Sequence, residues 1–207
     1  MFLIKFPFTK KNEELVSGAL NENKVFVFPT ETIYGLGGNA FSKILLDKIF
    51  KIKERPIEKS VILLINSEWI NQLSFWSDSR VNDLIENFWP GPLTLILKAN
   101  KALPEFLKSD DGTVAIRYTS SPTVQRLIEL GNCPIIGTSA NISGQPPCSS
   151  LRDIKSQLNN KVDFFVDEGN LSFGKASTIV DCVNSNFKVI RHGAISLSNL
   201  NRVCKVL

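Results

Sequence analysis

Apolar positions along this chain fall into two rhythms. Short bursts rich in Val, Ile, Phe and Leu, bounded by Gly, Pro, Asn or Asp, occupy 25–29, 61–65, 93–97, 113–117, 134–138, 163–166, 177–183 and 187–191, and predict strands. Apolar residues spaced three and four apart over 11–22, 43–54, 79–88, 121–130, 151–158 and 196–203 predict amphipathic helices. Within 43–54 the stripe is Ile44, Leu45, Ile49 and Ile52, with Lys43, Asp47, Lys48 and Lys51 mostly off it. The polar stretch 98–112, carrying Pro104 and Gly112, predicts a long loop. Interleaved helices and strands predict an α/β or α+β domain with a mixed sheet. No repeat, low-complexity tract or linker divides the chain, so 1–207 reads as a single domain.

Composition narrows the class without changing that picture. A chain of 207 residues, 43% hydrophobic and 21% charged, is long enough to bury a substantial core and has an ordinary globular balance. No apolar run approaches the roughly 18 residues that would span a membrane. The start, MFLIKFPF, is too short for a signal peptide and lacks a small-residue cleavage site. Cys133, Cys148, Cys182 and Cys204 form no CxxC pair, so neither a zinc site nor a disulfide framework is indicated. The reading is cytoplasmic. Net charge is a modest +4, but Lys48, Lys51, Lys53, Arg55 and Lys59 crowd into twelve residues against Glu54 and Glu58. A solvated helix face and an anion site both fit that run.

Candidate chemistry sits at strand ends. After VFVF (25–28) come Pro29, Thr30, Glu31 and Thr32, and then Gly35, Gly37 and Gly38. These glycines fail G-x-G-x-x-G, because position 40 is Ala40. They suit either a strand-to-helix turn, with Thr30 or Thr32 as local caps, or a backbone that reaches positive φ and approaches a ligand closely. In KIKERP, the proline ends the predicted helix near Arg55, leaving Lys53 and Arg55 at a helix C-terminus, favourable to the dipole and exposed to a polyphosphate. GTSANISG (137–144) gathers hydroxyls and a carboxamide after an apolar run, as a polar turn or a pocket wall. Thr113-Val-Ala-Ile-Arg117 ends a strand in a cation, and Ser177-Thr178 is followed downstream by Arg191. A decoy lies at 169–176: it matches G-x-x-x-x-G-K, but Ala176 stands where a hydroxyl should hold magnesium. The β-branched run after it predicts a strand where a phosphate loop needs a helix.

PTETIYGLG, the K-x-R-P at 53–56, FWPGPLT (88–94), TVAIR (113–117), TSANISG (138–144) and STIVD (177–181) occur in this order. Together they resemble the YrdC/TsaC family of threonylcarbamoyl-AMP synthases, from about residue 12 to about residue 195. SGQPPC and EKSVILLI look like its short, stand-alone branch; longer relatives carry a C-terminal domain for which this chain has no room. The resemblance implies a twisted mixed α/β sheet with flanking helices around a large concave basic surface. It implies synthesis of L-threonylcarbamoyl-AMP and pyrophosphate from L-threonine, bicarbonate or CO2, and ATP. No cofactor is permanently bound; ATP is a substrate and brings Mg2+. A partner complex of TsaD/TsaB/TsaE type then carries the group to the adenosine beside the anticodon of tRNAs that read ANN codons. A weak contact with tRNA is a further implied partner; a membrane is not.

Roles carry over position by position. Lys53 and Arg55 match the catalytic cations that face the ATP phosphates. Thr113, Ser139, Asn141 and Arg191 match ATP contacts, while Thr32, Arg117 and Ser177 match contacts to L-threonine, with Arg117 on its carboxylate. Two departures stand out: Lys59 and Leu64 replace residues that are often asparagine and histidine in longer relatives, and Arg191-His192-Gly193 stands where many relatives read R-P-G. His192, the only histidine, is read as incidental, so covalent catalysis has little support. Two other classes compete with this reading: a carbamoyl-AMP synthase of the hydrogenase-maturation type, and a non-enzymatic RNA-binding module, which +4 and no stacking aromatic motif make weaker.

Overall fold

The computed structural model describes residues 2–54, 61–145, 148, 150–158, 161–168 and 174–207. In chain order these form β1 (Phe2–Lys5), α1 (Lys10–Asn21), β2 (Phe26–Phe28), β3 (Gly35–Gly37), α2 (Lys43–Lys53), β4 (Ile62–Ile65), α3 (Ile70–Leu73), β5 (Ser74–Phe75), α4 (Arg80–Phe88), β6 (Leu93–Ala99), β7 (Thr113–Tyr118), α5 (Pro122–Gly131), β8 (Ile135–Ser139), α6 (Leu151–Leu158), β9 (Phe164–Asp167), β10 (Thr178–Asp181), β11 (Lys188–Arg191) and α7 (Leu197–Val203). Hydroxyls start several helices: Thr9, Ser42, Ser121 and Ser196 each accept a hydrogen bond from the backbone N–H three residues on.

All the strands join one mixed sheet in the order β1-β9-β2-β3-β8-β4-β7-β6-β10-β11, with β5 branching from β6. The pairs β1–β9, β9–β2, β4–β7 and β6–β10 are parallel, and the others are antiparallel. Two apolar cores flank this sheet. Because side chains alternate across a strand, Val25 and Val27 enter one core while Phe26 and Phe28 enter the other. Leu63 and Ile65 divide from Leu64 in the same way. Burial on both faces is why these strands read as continuous apolar runs. The first core takes α2, α4, α6 and α7; the second takes α1 and α5.

The second core stops short of β6, β7 and β10, none of whose residues belongs to it. There one face still packs inward through Leu93, Leu95, Leu97, Val114 and Ile116. The opposite face carries Thr94, Thr113 and Arg117. These residues are buried too, but under polar neighbours and not under the second apolar core.

Several expectations need correcting. The glycine run is not a strand-to-helix turn: Gly35–Gly37 is a strand between β2 and β8. Nor do these glycines use positive φ, which among the described glycines belongs to Gly112 and Gly144. They admit close neighbours instead: a Cβ on Gly37 would lie 1.6 Å from the Ile136 carbonyl oxygen, and one on Gly35 2.4 Å from the Phe28 ring. The start of the chain supplies edge strand β1, paired with β9, and 66–75 forms a 3-10 turn, α3 and β5. The predicted loop 98–112 contains the end of β6 and a 3-10 turn at Glu105–Leu107. All four cysteines are buried and unpaired.

Candidate active site

A cavity of about 370 Å³ opens against the sheet. Its walls come from the segment after β2 (Thr30, Thr32, Tyr34), the end of α2 (Lys53), β8 and its continuation (Ser139, Asn141), Ser177 before β10, Arg117 of β7 and Arg191 of β11. Seven stretches of the chain therefore converge on one space, since Val61, Ile62 and Leu64 at β4 line it too. Of the residues singled out, Thr32, Lys53, Arg117, Ser139, Asn141, Ser177 and Arg191 line it.

Thr113 is not among them. It sits at the start of β7, buried, with its hydroxyl donating to Asp111 Oδ1 at 2.7 Å, and it does not line the cavity. Four residues of strand rise, about 13 Å, separate it from Arg117. Arg55 lies outside the described residues, as do Lys59 and the first five residues of the decoy. The decoy leads into the strand Thr178–Asp181, as the β-branched run predicts.

Arg117 is the most enclosed cation of the site's arginines, 5% exposed. It is therefore not a surface arginine. Its Nε donates to the Gly91 carbonyl at 3.2 Å and its Nη2 to Thr32 Oγ1 at 3.1 Å. Glu31 closes the arrangement with Oε1 2.8 Å from Nη2. The carboxylate is fixed in turn by the Thr119 hydroxyl at 2.6 Å and the Ser120 N–H at 3.2 Å. Burial pushes the Glu31 carboxyl up, but the Arg117 charge and these hydrogen bonds outweigh it and hold it below its ordinary value. Glu31 is the residue that sequence reasoning missed. It stood in view inside PTET, but nothing local tied it to an arginine on a distant strand.

Lys53 also differs from expectation. It is only 3% exposed, not a free cation on a loop. The chain beyond β8 folds across the end of α2, so that Nζ donates to the Ser139 carbonyl at 2.5 Å and the Asn141 carbonyl at 2.8 Å. The Ser143 N–H returns a bond to the Lys53 carbonyl at 3.1 Å. Asn141 Nδ2 donates to the Ile142 and Gln145 carbonyls, at 3.1 and 2.5 Å. Its Oδ1 is buried and without a donor, an acceptor left over for something else.

Arg191 anchors on Ser177 through Nε to the carbonyl at 3.0 Å and Nη2 to the hydroxyl at 2.8 Å. Partial burial of its guanidinium, and then the charge of Arg117, hold its pKa below the ordinary arginine value. Lys53, Arg117 and Arg191 thus line one cavity, and Glu31, which is not among the lining residues, pairs with Arg117. Such a cavity attracts anions, and its hydroxyls and carboxamide can orient them.

A sequence model of the family described as "Telomere recombination" (Sua5/YciO/YrdC) matches residues 18–193. The threonylcarbamoyl-AMP synthase of Pyrococcus abyssi is 34% identical over 190 residues, 91% of this chain and 56% of that protein. The protein of the same name from Pseudoalteromonas translucida is 33% identical over 177 residues, 83% of this chain and 92% of its own length. The crystal structure of P. abyssi Sua5 complexed with L-threonine superposes with a TM-score of 0.90 at 31% identity, covering 98% of this chain and 60% of that one. The chain therefore spans little more than half the length of the archaeal relative and nearly all of the bacterial one.

Proposed function

We propose that this chain, which belongs to the Sua5/YciO/YrdC family, makes L-threonylcarbamoyl-AMP and pyrophosphate from L-threonine, bicarbonate or CO2, and ATP. The observation that carries this reading is the buried Arg117 guanidinium on the cavity wall, beside Thr32, in a chain whose named relatives are threonylcarbamoyl-AMP synthases. A planar fork held by Gly91 and Glu31 suits an amino-acid carboxylate better than a mobile surface charge would.

The chemistry asks for positioning more than for a nucleophile. The amine of threonine adds to the carbon of CO2 and loses a proton, giving a carbamate. A carbamate oxygen attacks the α-phosphorus of ATP, and pyrophosphate leaves. Holding two anions against each other and neutralising the leaving pyrophosphate supply most of the rate in such transfers. In this reading Lys53, Arg55 and Arg191 act on the phosphates; Lys53 and Arg191 line the cavity. Ser139 and Asn141 face the nucleotide, and Asn141 Oδ1 offers its acceptor to a nucleotide N–H or O–H. Thr32, Arg117 and Ser177 hold the threonine. ATP carries its own Mg2+ on the phosphates. The product passes in the cytoplasm to a transferase complex of TsaD/TsaB/TsaE type for modification of tRNA.

Pyrophosphate release is the test, with ATP and bicarbonate plus L-threonine, carbamoyl phosphate or neither. Release that needs L-threonine is expected. Release with carbamoyl phosphate and none with L-threonine would replace this reading by a carbamoyl-AMP synthase. No release from folded protein that binds tRNA would replace it by an RNA-binding module.

A further inference from the structure

We propose that Thr94, buried beneath the cavity, fixes the Ser177 hydroxyl as a hydrogen-bond donor to the carboxylate of the bound amino acid. Thr94 lies on β6 with 0% of its surface exposed. Its Oγ1 is 2.8 Å from Ser177 Oγ, a contact in which either hydroxyl could donate. Ser177 Oγ also receives Arg191 Nη2 at 2.8 Å.

Counting protons settles the direction. A hydroxyl has one proton and two lone pairs. Were Ser177 to donate to Thr94, the Thr94 proton would be left in a fully buried position with no acceptor among the described residues. Folded proteins avoid that arrangement. If Thr94 donates, its proton is used and both lone pairs of Ser177 are filled. The Ser177 proton then turns toward the cavity that Ser177 lines. Ser177 offers a donor and nothing else.

Thr32 is not fixed in this way. Thr30 Oγ1 gives its proton to the Ile33 carbonyl at 2.6 Å and already receives the Thr32 and Ile33 N–H groups at 3.2 Å each, so its 2.9 Å contact with Thr32 Oγ1 assigns no donor there. Thr32 Oγ1 accepts from Arg117 Nη2 at 3.1 Å. Thr94 and Arg117 share a sheet face, since Leu95 and Ile116 pair across β6 and β7 and point into the first core. The amino acid therefore meets two donors, Arg117 and Ser177, for its carboxylate. This deepens the proposed function and rests on it. Thr94 touches no ligand; it is a positioning residue acting through Ser177.

The experiment is calorimetric titration of L-threonine and, separately, ATP against the full chain and its Thr94→Val, Thr94→Ser, Ser177→Ala and Thr94→Val/Ser177→Ala variants. Thr94→Val is expected to raise the L-threonine Kd about tenfold, the weight of one hydrogen bond to a charged group, with the ATP Kd within about twofold. Thr94→Ser restores the L-threonine Kd, and Thr94→Val changes it by less than about twofold once Ser177→Ala is present. Equal losses in both backgrounds, a parallel loss of ATP binding, or no rescue by serine would each overturn the proposal. Should Thr94→Val not fold, Thr94→Ala carries the same comparison. Wild-type protein that does not bind L-threonine refutes the functional reading and this inference with it; wild type that binds while Thr94→Val binds equally well refutes the inference alone.

Discussion

Replacing Lys53 by methionine, which keeps the stem and removes the charge, separates two accounts of this residue. The sequence presents Lys53 as a loop cation for phosphate, whose loss would leave the fold intact. The structure makes it an anchor as well, with an ammonium bonded to the Ser139 and Asn141 carbonyls at 2.5 and 2.8 Å. Hydrogen bonds to a charged donor contribute about 1.5–3 kcal/mol each, so these two together contribute about 3–6 kcal/mol. Two effects reduce it: removing a buried charge relieves its desolvation cost, and the cavity lets water reach the orphaned carbonyls. The net loss is then about 2–4 kcal/mol. For a chain of this size that lowers the Tm by about 4–16 °C. Thermal and urea unfolding of Lys53→Met, beside an ATP titration, is the measurement. ATP affinity should fall together with stability, because Asn141 and Ser139 lose their support. A Tm within about 2 °C of wild type with ATP binding lost would show that Lys53 serves the ligand without holding the loop, and the anchoring argument would be wrong.

Three other outcomes are expected. Arg117→Lys keeps the charge but not the fork, so calorimetry should show L-threonine binding weakened about 10- to 150-fold with ATP little changed, and Arg117→Ala should weaken it further; movement of the ATP constant alone would contradict the carboxylate assignment. Glu31 is held below its ordinary value of 4.5 in the fold, so its contribution is complete above that value and is lost as pH falls through the folded one. Melting curves from pH 6 to pH 3 should therefore fall more steeply for wild type than for Glu31→Gln, and parallel curves would remove Glu31 from the Arg117 pair. Lys175→Ala should reduce ATP affinity far less than Arg55→Ala, since residues 178–181 continue as a strand and not as a phosphate-binding helix; nucleotide titration showing the reverse ranking would restore the decoy.

What the sequence could reveal depended on whether the cause was local. β2 and β4 were visible because burial on both faces makes Phe26–Phe28 and Ile62–Ile65 apolar throughout. The alternation in Thr113-Val-Ala-Ile-Arg117 already put Arg117 on the face opposite Val114 and Ile116. β1 escaped because its Phe2 and Leu3 are exposed at a sheet edge and its partner strand begins at Phe164. β3 escaped because two of its three residues are glycines, chosen by the nearness of Phe28 and Ile136 and not by any strand propensity. The site divides the same way. Its cations and hydroxyls were legible as types at strand ends, but their partners were not: Thr94 finds Ser177 83 positions away, and Lys53 is buried by a segment that returns 86 positions later.

Those long-range partners explain why the cavity can bind anions without being a loose collection of charges. Lys53 is held by two carbonyls, Arg117 by Gly91, Thr32 and Glu31, and Arg191 by both oxygens of Ser177. A charge held in place loses little conformational freedom when a ligand arrives, so more of each contact appears as affinity. The arrangement at Arg117 adds a constraint. Glu31 cannot swing aside freely, because Thr119 and Ser120 grip both of its oxygens. On the assignment proposed above, a ligand carboxylate shares the guanidinium with Glu31 and does not displace it, and the repulsion between the two carboxylates must be offset by other donors. Ser177, whose proton the proposed Thr94 contact turns into the cavity, would be one of them. An anion reaching Arg117 without a second group for Ser177 would meet the repulsion and lack the compensation. On that assignment, Glu31 makes the pocket selective by weakening what Arg117 alone would bind.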